Sequence, residues 1–232
     1  MKACGKMRFD VLTVHPDMCT GPISVSILAR AIESGLIDVN VHDIRDHGIG
    51  KHRTVDDTPY GGGSGMVLRV DVVDKAIQAV SSPRAHVILM DASGKRFDQS
   101  DARRLAGFDH LVFVCGHYEG IDSRVRQHLA DEVISIGDYV LTGGELPALV
   151  VIDAVSRMLP GVLGNPESIL EESFMDGGLE AAPYTRPRQY REWCVPEVLT
   201  SGDHERIHQW RRAQSEQLTR RVRPDLLDDD DN

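Results

Sequence analysis

Ile134-Ser135-Ile136-Gly137-Asp138-Tyr139-Val140-Leu141-Thr142-Gly143-Gly144-Glu145 is the stretch on which the reading of the fold turns. It begins as a buried strand, passes through polar and glycine positions, and opens a long apolar helix over 145–159. In α/β folds, a strand end that feeds a glycine turn and a helix N-terminus is where ligands sit. The turn offers backbone N–H and C=O groups with little side-chain cover, which suits a flat heterocycle. It matches neither the Walker A pattern nor GxGxxG.

Upstream, two further apolar runs end in the same way. His86–Met90 leads into Asp91-Ala92-Ser93-Gly94, and Leu111–Cys115 leads into Gly116-His117-Tyr118-Glu119-Gly120-Ile121-Asp122. The remaining strand-like runs are Phe9–Val14, Ile37–Val41 and Glu132–Ile136. Helical patterns lie between them at 23–33, 71–80, with Asp71 as cap, and 121–130. Apolar strands without alternation, each followed by a helix, predict a parallel sheet covered on both faces. Its strand ends at Met90, Cys115 and Ile136 then lie on one side and can form one pocket.

Beyond Pro160 the pattern changes. Gly161, Gly164 and Pro166 mark a linker, and an amphipathic helix runs from about His204 to Arg221, with Asp203 as its cap. The expected organisation is a sheet domain at 1–160, a linker at 161–175 and a small helical domain at 176–232. The chain carries a net charge of −10, yet Pro183–Pro224 holds nine arginines against five acids and no lysine. Arginine is the better phosphate ligand, although a solvated helix face gives the same pattern. The run Asp228–Asp231 reads as a disordered tail. No apolar run is long enough to span a bilayer, and the start of the chain lacks the apolar segment of a signal peptide. The four cysteines form no CxxC pair, which argues against a zinc ribbon and fits a reducing cytoplasm.

Several motifs carry two readings. Pro59-Tyr60-Gly61-Gly62-Gly63-Ser64-Gly65 is a flexible lid or a plain connecting loop. His204-Glu205-Arg206-Ile207-His208 fits HExxH, but it lies among arginines with no third ligand following, so a polar or RNA-facing helix surface is preferred to zinc. Glu119, between glycines, has no capping task and suits a ligand amine. Glu172 lies on the linker, where a carboxylate that orders over a site can act as general base; a surface acid is the plain alternative. Arg157 closes the helix opened by Glu145, and a cation there also favours the helix dipole.

Taken together, the blocks Val55–Gly63, Cys115–Asp122, Ser135–Glu145, Pro160–Gly164, Tyr184–Pro187 and Ser201–His204 resemble the TrmD-type tRNA (guanine-N1)-methyltransferases of the SPOUT superfamily. The resemblance covers nearly the whole chain from Met7. It implies a deep trefoil knot in the parallel sheet domain, S-adenosyl-L-methionine as methyl donor, magnesium for methyl transfer, and guanosine 37 of tRNA as acceptor. It also implies a homodimer, with the linker and C-terminal domain of one subunit completing the other's site. The expected cofactor contacts are Met90, Asp91, Gly94, Gly116, Tyr118, Glu119, Ser135, Ile136, Gly137, Asp138, Tyr139, Val140, Leu141, Gly143, Gly144, Pro147 and Glu180. Arg186, His204, Arg211 and Arg212 are the expected tRNA contacts, and no residue is assigned to a metal.

Guanine N1 carries a proton near neutral pH, so a base must remove it as the methyl arrives. Glu172 takes that role by resemblance, with Glu171 as a rival, in a position where the family has aspartate. Arg157 corresponds to the arginine that stabilises charge on O6. Two local departures stand beside these. Asp91-Ala92-Ser93-Gly94 replaces the family's usual Ser-Pro-Gln-Gly, and His117 stands where arginine is common. A SPOUT enzyme acting on ribosomal RNA or a ribose hydroxyl, and an RNA-binding protein without activity, are the competing readings.

Overall fold

The computed structural model describes residues 6–164, 172–175 and 177–227. Glu171 and the Asp228–Asp231 run therefore lie outside the described residues. The chain forms two compact units, Met1–Gly164 and Asn165–Asn232.

The first unit is built on a five-stranded parallel sheet, in the order β2-β1-β6-β5-β7. These strands are β1 (Met7–Thr13), β2 (Ile37–Asp43), β5 (Ala85–Arg96), β6 (His110–Cys115) and β7 (Glu132–Ser135). Between β2 and β5, β3 (Asp56–Asp57) and β4 (Val67–Leu68) make a small antiparallel pair. The helices are α1 (Asp17–Ile23), α2 (Ser26–Glu33), α3 (Val70–Val80), α4 (Gln99–Leu105), α5 (Ser123–His128) and α6 (Glu145–Arg157).

Every residue of β6 is buried, which is why its sequence reads as an uninterrupted apolar run. Successive side chains point to opposite faces and feed two cores. Phe9, Val11, Leu111, Phe113 and Ile88 belong to one, packed with residues of α1, α2, α4 and α6. Leu12, Val112, Val114 and Leu89 belong to the other, against α3 and Val125 of α5. The one fully buried carboxylate on β1, Asp10, is held by Arg8 Nε at 2.7 Å, by His42 Nε2 at 2.7 Å and by His110 Nε2 at 2.5 Å. Buried charge needs such partners.

Three expectations need correction. The helix expected over 23–33 starts only at Ser26, whose φ of 58° separates α2 from α1, which ends at Ile23. Asp71 does not cap α3; it sits in the first turn and binds the Arg69 guanidinium through two bonds of 3.1 Å. Asp91–Gly94 is not a turn after a finished strand. It is a bulge within β5, which pairs with β7 at Met90↔Ile134 and resumes at Lys95↔Ile134.

In the second unit, β8 (Gln189–Tyr190) and β9 (Trp193–Cys194) form a hairpin, and α7 (His204–Val222) is the longest helix. Asp203 caps α7 as expected, its Oδ1 accepting from Arg206 N at 3.1 Å. Among the described residues no helix is long and apolar enough to cross a membrane.

Candidate functional site

The start of the β5 bulge and the C-terminal ends of β6 and β7 meet in one cleft of about 250 Å³. Met90 and Asp91 enter it from β5, Gly116, Tyr118 and Glu119 from the end of β6, and Ser135, Ile136 and Gly137 from β7. Tyr139, Val140, Leu141, Gly143 and Gly144 follow, and Pro147 closes it from α6. This is the strand-end pocket that the three apolar runs predicted. The lining also includes Ala92, His117, Gly120, Ile134 and Thr142, which had not been assigned to it. Each is next in sequence to an assigned residue, so the segment rather than the single position was the usable signal.

Gly94, Asp138 and Glu180 do not line the cleft. Asp138 is exposed, and Glu180 belongs to the second unit. The reason for glycine at Gly94 is packing: a Cβ there would lie 2.6 Å from the Ile134 carbonyl carbon. Gly144 is constrained in the same way, since its Cβ would lie 2.7 Å from Cys115 Cα and 3.0 Å from Gly116 N. The Gly144 N–H donates to Gly116 O at 2.9 Å, which ties the 136–144 segment to the end of β6.

The segment also holds itself in shape. Ser135 Oγ donates to Gly137 O at 3.0 Å, Tyr139 N–H donates to Gly137 O at 2.9 Å, and the Tyr139 hydroxyl donates to Ile136 O at 3.2 Å. Tyr118 takes φ 61°, a left-handed conformation uncommon for a non-glycine residue. The glycine loop at 61–65 is rooted beside the cleft: Glu119 N–H donates to Met66 O at 3.0 Å, and the Glu119 side chain packs over Gly65. Tyr60 at the far side of that loop is fully exposed.

Behind the cleft lies a buried polar cluster that sequence reading did not find. Glu145 is fully buried, and Thr13 Oγ1 donates to its Oε1 at 2.5 Å. Its Oε2 and His117 Nδ1 are both buried without a partner among the described residues, and both border the space that a Cβ on Gly143 would fill. His117 Nε2 in turn lies 3.2 Å from His15 Nε2. Burial, reinforced by the Glu145 carboxylate, pushes the Cys19 thiol up to about 11 and the Cys115 thiol well above its ordinary value. Neither cysteine is a thiolate nucleophile at neutral pH.

The donor set fits the expected methyl donor. Ile134, Ile136, Leu141 and Pro147 give apolar walls for a flat heterocycle, the glycine backbones give hydrogen-bonding edges, and Asp91 and Glu119 give carboxylates for an ammonium group. For magnesium the fit is absent: among the described residues no three His, Cys, Asp or Glu side chains converge. His204 and His208 of the HExxH stretch likewise gain no third ligand among those residues.

Within the second unit, a groove collects Glu172, Glu180, Arg186, Arg188, His204, His208, Arg211 and Arg212. Both linker-side carboxylates and all four expected tRNA contacts thus face one space. Arg157 stands elsewhere, as the last residue of α6.

Comparison with known proteins follows the same lines. The family model described as tRNA (Guanine-1)-methyltransferase TrmD matches residues 7–229. The tRNA (guanine-N(1)-)-methyltransferase of Geobacter sulfurreducens is 54% identical over 95% of this chain and 91% of its own. Those of Moorella thermoacetica and Dictyoglomus turgidum are 53% and 50% identical, over 95% and 96% of this chain and 90% of each of theirs.

Proposed function

The chain belongs to the TrmD family of tRNA (guanine-N1)-methyltransferases, and on that premise we infer that it transfers a methyl group from S-adenosyl-L-methionine to N1 of guanosine 37 in tRNA, beside the anticodon. The observation that carries this reading is the glycine-rich cleft at the β5 bulge and the ends of β6 and β7. A flat base and an ammonium tail fit there, and a Walker-type polyphosphate does not.

S-adenosyl-L-methionine, when bound, supplies an electrophilic methyl group. The backbone of 136–144 would hold it, and Glu119 would meet its amino group. Glu172 takes the N1 proton of guanine, and Arg157 stabilises the negative charge that then develops on O6. Asp91 and Glu180 are further carboxylates offered to the cofactor. Arg186, His204, Arg211 and Arg212 hold the tRNA.

We propose further that the enzyme is a homodimer whose subunits complete each other's sites, with the knotted topology of its family, in the cytoplasm. α6 supports this. Its 13 residues give a rise of about 18 Å along the axis, so Arg157 is far from the cleft that Glu145 borders in the same chain. An arginine that contacts the reacting guanine must then come from a second subunit. Leu146 and Val150, one helical turn apart on α6, are about half exposed, which gives such a subunit an apolar seat.

The test is methyl transfer from labelled cofactor to tRNA transcripts carrying G or A at position 37. Incorporation is expected with G37 alone. Equal incorporation into both transcripts rejects the reading, and incorporation into ribosomal RNA instead favours another SPOUT enzyme.

A further inference from the structure

The β8–β9 hairpin of the second unit displays an aromatic pair that no internal packing explains. Tyr190 and Trp193 are cross-strand partners, with ring centroids 5.9 Å apart. They are nevertheless 55% and 65% exposed. A cross-strand aromatic contact steadies a hairpin, but it does not require two large rings to keep most of their surface in water. The turn between them carries Arg191 at φ 55°, and its guanidinium lies 5.3 Å from the Tyr190 ring centre and 5.8 Å from that of Trp193.

Charge around the hairpin is predominantly positive, with Glu192 in the turn as the single acid among residues 186–194. Arg186, Arg188 and Arg191 are exposed, and among the described residues no carboxylate pairs with any of them. By contrast, Arg212 and Arg223 of the same unit are each neutralised, by Glu216 and Asp225. The hairpin is also continuous with the arginine-lined groove. Arg188 and Val195 both line that groove, and the bond from Val195 N to Arg188 O at 2.9 Å closes the hairpin's base.

Exposed rings interleaved with unpaired arginines are the chemistry of a stacking surface for unpaired bases: every base has a π-face, and the guanidinium groups meet the phosphates. We propose that the 189–194 hairpin is a platform on which an unpaired nucleobase of the bound tRNA stacks, against Trp193 and Tyr190. Arg186, Arg188 and Arg191 hold the flanking backbone. This rests on the tRNA reading above and extends it to a surface outside the groove.

The experiment measures tRNA binding by the full-length protein over a range of salt, together with tryptophan emission. In the wild type, tRNA is expected to quench emission and shield it from acrylamide. Trp210 lines the groove and responds to tRNA as well, so Trp193 is read alone in Trp210→Phe, where tRNA is expected to quench the remaining emission and shield it from acrylamide. Trp193→Ala is expected to weaken binding roughly tenfold with the salt slope unchanged. Arg191→Ala is expected to lower that slope by about one. Cofactor affinity is expected to stay the same in all three, which excludes general misfolding. Wild-type tRNA affinity in Trp193→Ala, or an unquenched Trp193 in Trp210→Phe, overturns the platform while leaving the tRNA reading intact. Shielding of Trp193 that grows with protein concentration before any RNA is added makes the hairpin an interface between copies and also overturns it. A wild-type protein that binds no tRNA removes the parent reading and the platform with it.

Discussion

At Gly144 the backbone angles are ordinary, φ −84° and ψ −4°, so any residue could adopt them. What excludes a side chain is the neighbouring strand end, 2.7 Å from where Cβ would stand. Gly144→Ala is therefore expected to lose about 1–3 kcal/mol through a forced backbone shift. In a chain of this size that lowers the melting temperature by roughly 2–10 °C, and cofactor affinity falls with it. Gly21→Ala is the control: nothing lies within 4 Å of its Cβ, so it is expected to be neutral or slightly stabilising in the same melt. Glu172 is tested differently. Glu172→Ala should abolish turnover with cofactor affinity retained, and Glu172→Asp should recover most of it, as measured by single-turnover methylation beside calorimetry. Turnover unchanged in Glu172→Ala would reject it as the base.

Among elements, β5, β7 and α4 are joined by side chains at Glu132. Burial alone would raise the Glu132 carboxyl, but hydrogen bonds from His86 at 2.7 Å and from Arg104 of α4 at 2.8 Å outweigh it and hold the group at about 2, down from 4.5. A depressed carboxyl stabilises the fold above its unfolded value, and that contribution is lost as pH falls from about 4.5 towards 2. Glu132→Gln is thus expected to be less stable at pH 7 and to show a flatter stability profile between those limits in urea titrations. A slope equal to wild type over that window would refute the assignment. The elements differ in how readable they were. β6 and the first half of β5 were plain because their burial leaves continuous apolar runs, His86–Met90 and Leu111–Cys115. α1 was missed because Gly21 and Pro22 disguise it, and its existence depends on Cys19 packing into the core. α4 has three buried positions in seven residues, two of them apolar, and so leaves little periodicity. The bulge in β5 could not be seen, because Asp91-Ala92-Ser93-Gly94 has the composition of a turn and only the pairing with β7 makes it strand. The Glu145–His117–His15 cluster joins residues more than 100 positions apart, and no local pattern records that.

For the whole molecule, the decisive question is which chain supplies which part of a site. If sites are shared, Glu119→Ala and Glu172→Ala subunits combined in one dimer leave one intact site, with its cleft from one chain and its base from the other. Doubly tagged, co-expressed dimers are expected to regain about half of wild-type activity, from parents that have almost none. The pairing of Arg157→Ala with Glu172→Ala should recover nothing, since both groups would come from the same partner. Recovery in neither case would mean that each chain builds its site alone. The cleft's construction bears also on how such an enzyme could be blocked and could escape. Part of its wall is main chain, and at Gly144 that main chain is pressed against the end of β6. An inhibitor anchored on the amide and carbonyl groups around Gly144 meets no side chain there for a resistance mutation to change, and substitution of that glycine costs the protein stability.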